Sequence, residues 1–190
     1  MSGRLSPANL LTSGNLAAGF LALILAEQGE FAWAAGCVGA AAVCDSVDGL
    51  VARLTKSECE FGSQLDSLAD LVSFGISPAL IVYLSTLQSL PVAGIAACLG
   101  FVLCGGWRLA RFQVDEESRH RFIGLPIPPA GVITVVLAIL DPSPGLALAI
   151  VVVLGLLMVS RLPFPTLAEL RRLAHPARRA RVEAAQATRK

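Results

Sequence analysis

The chain has 190 residues, of which 55% are hydrophobic and only 15% charged. A soluble domain of this size carries about 25% charged residues, so composition excludes an ordinary soluble fold and points to an all-α polytopic membrane protein. The formal net charge of +1 conceals an uneven distribution along the chain.

The first apolar run, Leu10–Ala26, follows Arg4. It has the outline of a signal peptide, but Ile24 is too bulky for the position three residues before a cut after Ala26, and more apolar runs follow at once. A first membrane helix is the expectation. Next come Phe31–Cys44, Leu71–Leu84, Val92–Trp107, Ile127–Leu140 and Leu146–Ser160, six runs in all. Several are shorter than the ~20 residues that cross a bilayer core, so they must borrow from their flanks. For the second run the flank is Asp45 to Ala52, and for the third Asp66 to Asp70. Breakers at Glu27-Gln-Gly-Glu30, Ser89-Leu-Pro91 and Asp141-Pro-Ser-Pro-Gly145 make short links, as antiparallel helical hairpins require. The expected organisation is a six-helix membrane catalytic domain over residues 1–160 and a basic tail over 161–190. Cys37, Cys44, Cys59, Cys98 and Cys104 form no CxxC or Cys/His cluster and read as small hydrophobes.

Six crossings place all 15 Lys and Arg on one side. Arg4 precedes the first run, Arg53 and Lys56 follow the second, and Arg108, Arg111, Arg119 and Arg121 follow the fourth; the other eight follow the sixth. The opposite links hold only Glu27, Glu30 and Asp141. The positive-inside rule then puts both termini and the acidic stretch in the cytoplasm. The expected location is the inner or plasma membrane of a prokaryote. The tail from Arg161 to Lys190 reads as an interfacial or solvated basic segment, and His120 and His175 as surface residues. No nucleic-acid partner is expected.

The acids nearest this side carry the chemistry. Asp45 and Asp48 are three apart, Asp66 and Asp70 four apart, and each pair shares a helix face. Two helix ends therefore point four carboxylates at one spot, which is costly unless cations neutralise them. Two divalent ions would balance four negative charges, and oxygen ligands favour Mg²⁺ or Mn²⁺, with Ca²⁺ as an alternative. Such a pair suits phosphoryl transfer. Gly49 and Ala52 leave a helix stripe nearly bare for a flat ligand, Gly62 does the same one turn before Asp66, and Arg53 offers a cation to phosphate. An EF-hand is excluded, because the twelfth position from Asp45 is Lys56. Glu58 and Glu60 read as solvated loop charges.

Asp45-x2-Asp48-Gly49-x2-Ala52-Arg53-x8-Gly62-x3-Asp66-x3-Asp70 resembles, without a gap, the signature of the CDP-alcohol phosphatidyltransferase family. The resemblance implies a helical membrane enzyme, often a homodimer, with a cytoplasm-facing site open to the lipid bilayer. It implies that a CDP-linked lipid gives its phosphatidyl group to an alcohol and that CMP leaves. It makes Asp45, Asp48, Asp66 and Asp70 metal ligands and Asp70 also the general base. Gly49, Ala52, Arg53 and Gly62 would line the CDP pocket.

The stretches "LDSLADLVSFGISPAL", "RLARFQV" and "FIGLPIPPAG" resemble the small integral-membrane members of this family that use L-serine as acceptor and CDP-diacylglycerol as donor. Those members usually carry Asn where this chain has Gln113. "PANLLTSGN" resembles the family's first helix, with Asn9, Thr12 and Asn15 on nearby faces. Arg108 and Arg111, three apart, share a face and suit a carboxylate or a phosphate, or serve as positive-inside anchors. Glycerol phosphate, an inositol phosphate or choline are alternative acceptors. A cation transporter would spread its acids across the bilayer depth, and a magnesium-dependent prenyltransferase would need more helices.

Overall fold

The computed structural model describes residues 6–55, 60–114 and 124–160, and these are helical with short turns and no strand. Helix α1 spans Pro7–Glu27. Ser6 caps it by accepting the Asn9 N–H at 3.2 Å, and Pro7 sits in the first turn, where its missing N–H costs nothing. Apart from Ala8, the buried residues of α1 recur every three or four positions: Asn9, Thr12 and Asn15, then Gly19, Ala22 and Ala26. One face is thus polar in its first turns and small in its last, and α1 packs chiefly against α2, Phe31–Thr55.

α2 runs through the acids without a break, so Asp45 and Asp48 lie inside the helix and not in a loop after it. Helix α3, Glu60–Asp70, leads into a wider π-helical turn over Leu71–Ile76 and then into α4, Ser77–Ser85, as one continuous path. After a 3₁₀ turn at Leu87–Ser89 come α5, Pro91–Val114, α6, Ile127–Leu140, and α7, Pro144–Val159.

Among the described residues, four stretches are long and apolar enough to cross a membrane: Pro7–Glu27, Phe31–Ala52, Glu60–Ser85 and Pro91–Val114. The expected fifth and sixth runs form apolar helices of 14 and 16 residues, because the Pro-rich link at Asp141–Pro144 ends one and starts the other. At 1.5 Å per residue these are about 21 and 24 Å long, short of a ~30 Å hydrocarbon core. The borrowing of flanks expected from the sequence occurs in the second and third runs, and it draws the acids into the helices.

The π turn is gripped from two sides by small residues. A Cβ on Gly19 of α1 would stand 2.8 Å from the Ser73 Cα, and one on Gly131 of α6 would stand 2.5 Å from the Phe74 carbonyl oxygen. Glycine at both places lets two helices approach the same turn closely, as small residues do between membrane helices. Phe74, Phe101, Ile81 and Ile127 fill the interior, while Trp33, Leu54, Val92 and Trp107 are among the large side chains left outward. In water that distribution would be an aggregation liability; against lipid it is the expected surface.

Candidate active site

α2 and α3 bring three of the predicted acids together. Asp45, Asp48 and Asp66 each offer a carboxylate oxygen, and these oxygens lie within 4.8 Å of one another. That spacing, with hard oxygen donors, fits a divalent metal ion. Asp70 stands one helical turn beyond Asp66 on α3. Its charged neighbours are Asp45, Asp66 and Asp48. Asp48 and Asp70 are buried, and Asp45 and Asp66 are half-buried.

α1 brings no acid to this end but supplies hydrogen-bond donors. The Thr12 hydroxyl lies 2.8 Å from Asp48 Oδ2 and 3.1 Å from the Ala8 carbonyl, and can donate to either. Asn15 Nδ2 donates to Asp70 Oδ1 over 3.3 Å. One face of α1 thus holds one carboxylate from each acid-bearing helix. The sequence marked Thr12 and Asn15 as lying on nearby faces; it did not reveal that they meet the acids.

The π turn fastens the same region. Ser73 Oγ donates to the Asn15 carbonyl over 2.9 Å. Ser77 Oγ lies 2.8 Å from both the Gly19 and the Val72 carbonyls. The two contacts to α1 are four residues apart on both partners, so they form successive rungs between α1 and the turn. No feature of the apolar pattern signals this widening. π turns nevertheless recur at functional sites, where they redirect side chains.

Gly49, Ala52 and Gly62 are half-buried on the acid-bearing helices, with Gly49 and Ala52 on α2 and Gly62 on α3. The side chain of Arg53 lies outside the described residues, as do Arg4, Lys56, Glu58, Cys59, Arg119, His120, Arg121 and the tail 161–190. Glu60 is exposed at the start of α3, as a solvated charge should be. Cys37, Cys44, Cys98 and Cys104 are free thiols.

The two arginines expected to act alike differ. Arg108 is buried, at 9% exposure, and its Nε has no hydrogen-bond partner among the described residues. Its charged neighbours are Asp70 and Arg111. Arg111 is half-buried and places Nη1 3.4 Å from the Val159 carbonyl, at the C-terminal end of α7, where a cation meets the helix dipole favourably. A buried guanidinium nitrogen without a partner is costly and marks a place for an anion.

Gln113 ties α5 to α3. Its Nε2 donates to the Ser63 carbonyl at 2.9 Å and to Ser67 Oγ at 2.6 Å, and Gln64 Nε2 donates to its Oε1 at 3.2 Å. The Gln side chain therefore anchors α5 to α3.

Residues 5–168 match the profile of the family described as CDP-alcohol phosphatidyltransferase. A Helicobacter pylori protein named CDP-diacylglycerol–serine O-phosphatidyltransferase is 36% identical over 167 residues, covering 83% of this chain and 70% of its own length. A Bacillus subtilis protein of the same name is 35% identical over 156 residues, covering 82% of this chain and 88% of its own. One from Methanocaldococcus jannaschii, also so named, is 38% identical over 123 residues, covering 65% and 59%. Likeness of this extent, together with the converging acids, makes the chain a member of the CDP-alcohol phosphatidyltransferase family.

Proposed function

We propose that this protein transfers the phosphatidyl group of CDP-diacylglycerol to the hydroxyl of L-serine, forming phosphatidylserine and releasing CMP. The observation that carries the reading is the meeting of Asp45, Asp48 and Asp66 beside Asp70, from two helices, in a chain whose similar proteins bear the name of that reaction.

In this reading Asp70 is the general base. It takes the proton from the serine hydroxyl, whose oxygen then attacks the phosphorus that carries the diacylglycerol. The bond from that phosphorus to the CMP oxygen breaks, and CMP leaves with the electron pair. Asp45, Asp48, Asp66 and Asp70 would hold two divalent cations, Mg²⁺ or Mn²⁺, which when bound supply positive charge to the diphosphate. Gly49, Ala52 and Gly62 leave room for the CDP moiety along α2 and α3, and Arg53 would supply a cation for its phosphates. Arg108 receives the serine carboxylate. That role is supported by its burial and its unpartnered Nε, and Arg111 adds positive charge beside it.

The same unpartnered nitrogen supports a second reading, in which the acceptor is an alcohol bearing a phosphate, such as glycerol phosphate or an inositol phosphate. Choline, a cation, gives Arg108 no partner. We read the chain as a six-crossing membrane domain over residues 1–160, with the tail 161–190, both termini and the site facing the cytoplasm, as a homodimer. The one-sided distribution of Lys and Arg supports the orientation.

The test is incorporation of labelled serine into lipid by the purified protein given CDP-diacylglycerol and Mn²⁺. Serine-labelled phosphatidyl lipid is the expected product. CMP release with another alcohol and no lipid-bound serine would move the assignment to that alcohol.

A further inference from the structure

The proposed reaction leaves one buried amide without a task. Asn15 has 0% exposure, its Nδ2 donates to Asp70 Oδ1, and its backbone carbonyl accepts from Ser73 Oγ. The orientation of the amide follows from this contact, since turning it over would set oxygen against carboxylate oxygen. In that orientation Asn15 Oδ1 is buried and has no hydrogen-bond partner among the described residues. A residue kept only for packing would not carry an unpaired buried acceptor, because a leucine of similar size fills the same space without one. What Asn15 supplies that leucine cannot is a donor at a fixed distance from Asp70.

Asp70 and Ser73 are one turn apart on the same helical path, and both bond to Asn15, one to its side chain and one to its backbone. The two contacts close a ring across α1 and the π turn. Asp70 cannot shift relative to α1 without breaking one or both. The next rung, Ser77 to Gly19, holds the same register one turn further on.

We propose that Asn15 is a positioning residue: its amide fixes the Asp70 carboxylate in the orientation that receives the acceptor's proton, and Ser73 holds Asn15 in place. This rests on the reading of Asp70 as the base. Groups that hydrogen-bond a reacting or metal-binding carboxylate typically affect activity by about 10- to 100-fold.

The test is steady-state CMP release and thermal unfolding of Asn15→Leu, Ser73→Ala and the double variant, in detergent at saturating Mn²⁺. Asn15→Leu should lower kcat by roughly 10- to 100-fold while KM for CDP-diacylglycerol moves less than about threefold and the thermal midpoint does not fall. Ser73→Ala should lose less, and the double variant no more than Asn15→Leu alone, because Ser73 acts through Asn15. An Asn15→Leu variant with unchanged kcat overturns the proposal, and so does a loss that follows a lowered thermal midpoint. If Asn15→Leu does not fold, Ser73→Ala decides by the same criterion. Wild-type protein that releases no CMP would instead overturn the reaction, which keeps the two failures apart.

Discussion

The Thr12 hydroxyl and the Asp48 carboxylate meet across 2.8 Å between α1 and α2, joining residues 36 positions apart. Asp48 is 5% exposed, so its direction is set by donors and not by water. Thr12→Val keeps the shape of the side chain and removes the donor. The expected result is a loss of CMP release of roughly tenfold or more, with Thr12→Ser restoring most of it. Initial rates at saturating CDP-diacylglycerol and serine measure this.

Asp70→Asn keeps the size of the side chain and an oxygen that can accept from Asn15, but it cannot take a proton. CMP release should fall by about 10²- to 10⁴-fold, the usual worth of a general base. The variant should still elute from gel filtration as the wild type does, which separates lost chemistry from lost fold.

Arg108 tests the acceptor. Arg108→Gln removes the charge whose Nε is buried and unpartnered. KM for serine should rise by about tenfold or more, while KM for CDP-diacylglycerol changes little. Arg108→Lys keeps the charge but not the planar fork and should recover only part of the loss. Equal effects on both KM values would place Arg108 with the donor's phosphates instead.

Gly19→Val tests the packing that brings the π turn to α1. The added Cβ would stand 2.8 Å from a backbone atom, the Ser73 Cα, which cannot simply swing aside. A destabilisation of about 1–3 kcal/mol is expected from overpacking of this kind. Gly36→Ala is the control, because a Cβ there meets nothing within 4 Å. It should leave the thermal midpoint unchanged or raise it slightly.

Chelation tests the acidic group. EDTA should abolish CMP release, and added Mn²⁺ or Mg²⁺ should restore it, because the clustered carboxylates need counter-charge. Activity that persists in EDTA after extensive dialysis would contradict the metal reading.

Much of this site is legible in the sequence because its acids repeat at helical spacing. Asp45 and Asp48, or Asp66 and Asp70, must share a face once their segments are helical, and the apolar runs are too short to cross without them. What joins α1 to the acids is not legible in the same way. Thr12 and Asn15 can be seen to lie near each other. Which carboxylate each one meets depends on how helices pack to join residues 36 and 55 positions apart. The π turn leaves no periodic trace, since Leu71–Ile76 reads as ordinary apolar helix. Arg108 and Arg111 look equivalent in sequence; α7 separates them by presenting the Val159 carbonyl to Arg111 only. The lengths of α6 and α7 follow from the prolines between them and match the apolar runs and the breaker read in the sequence.

The most direct measurement is CMP release by the purified protein with CDP-diacylglycerol and Mn²⁺, offering serine, glycerol phosphate, an inositol phosphate and choline in separate reactions. Release that depends on serine, and is lost in Asp70→Asn, is the expected result. Release with a different alcohol and none with serine would contradict the serine assignment while leaving the family and its acidic site intact. No release with any acceptor would contradict the transferase reaction itself.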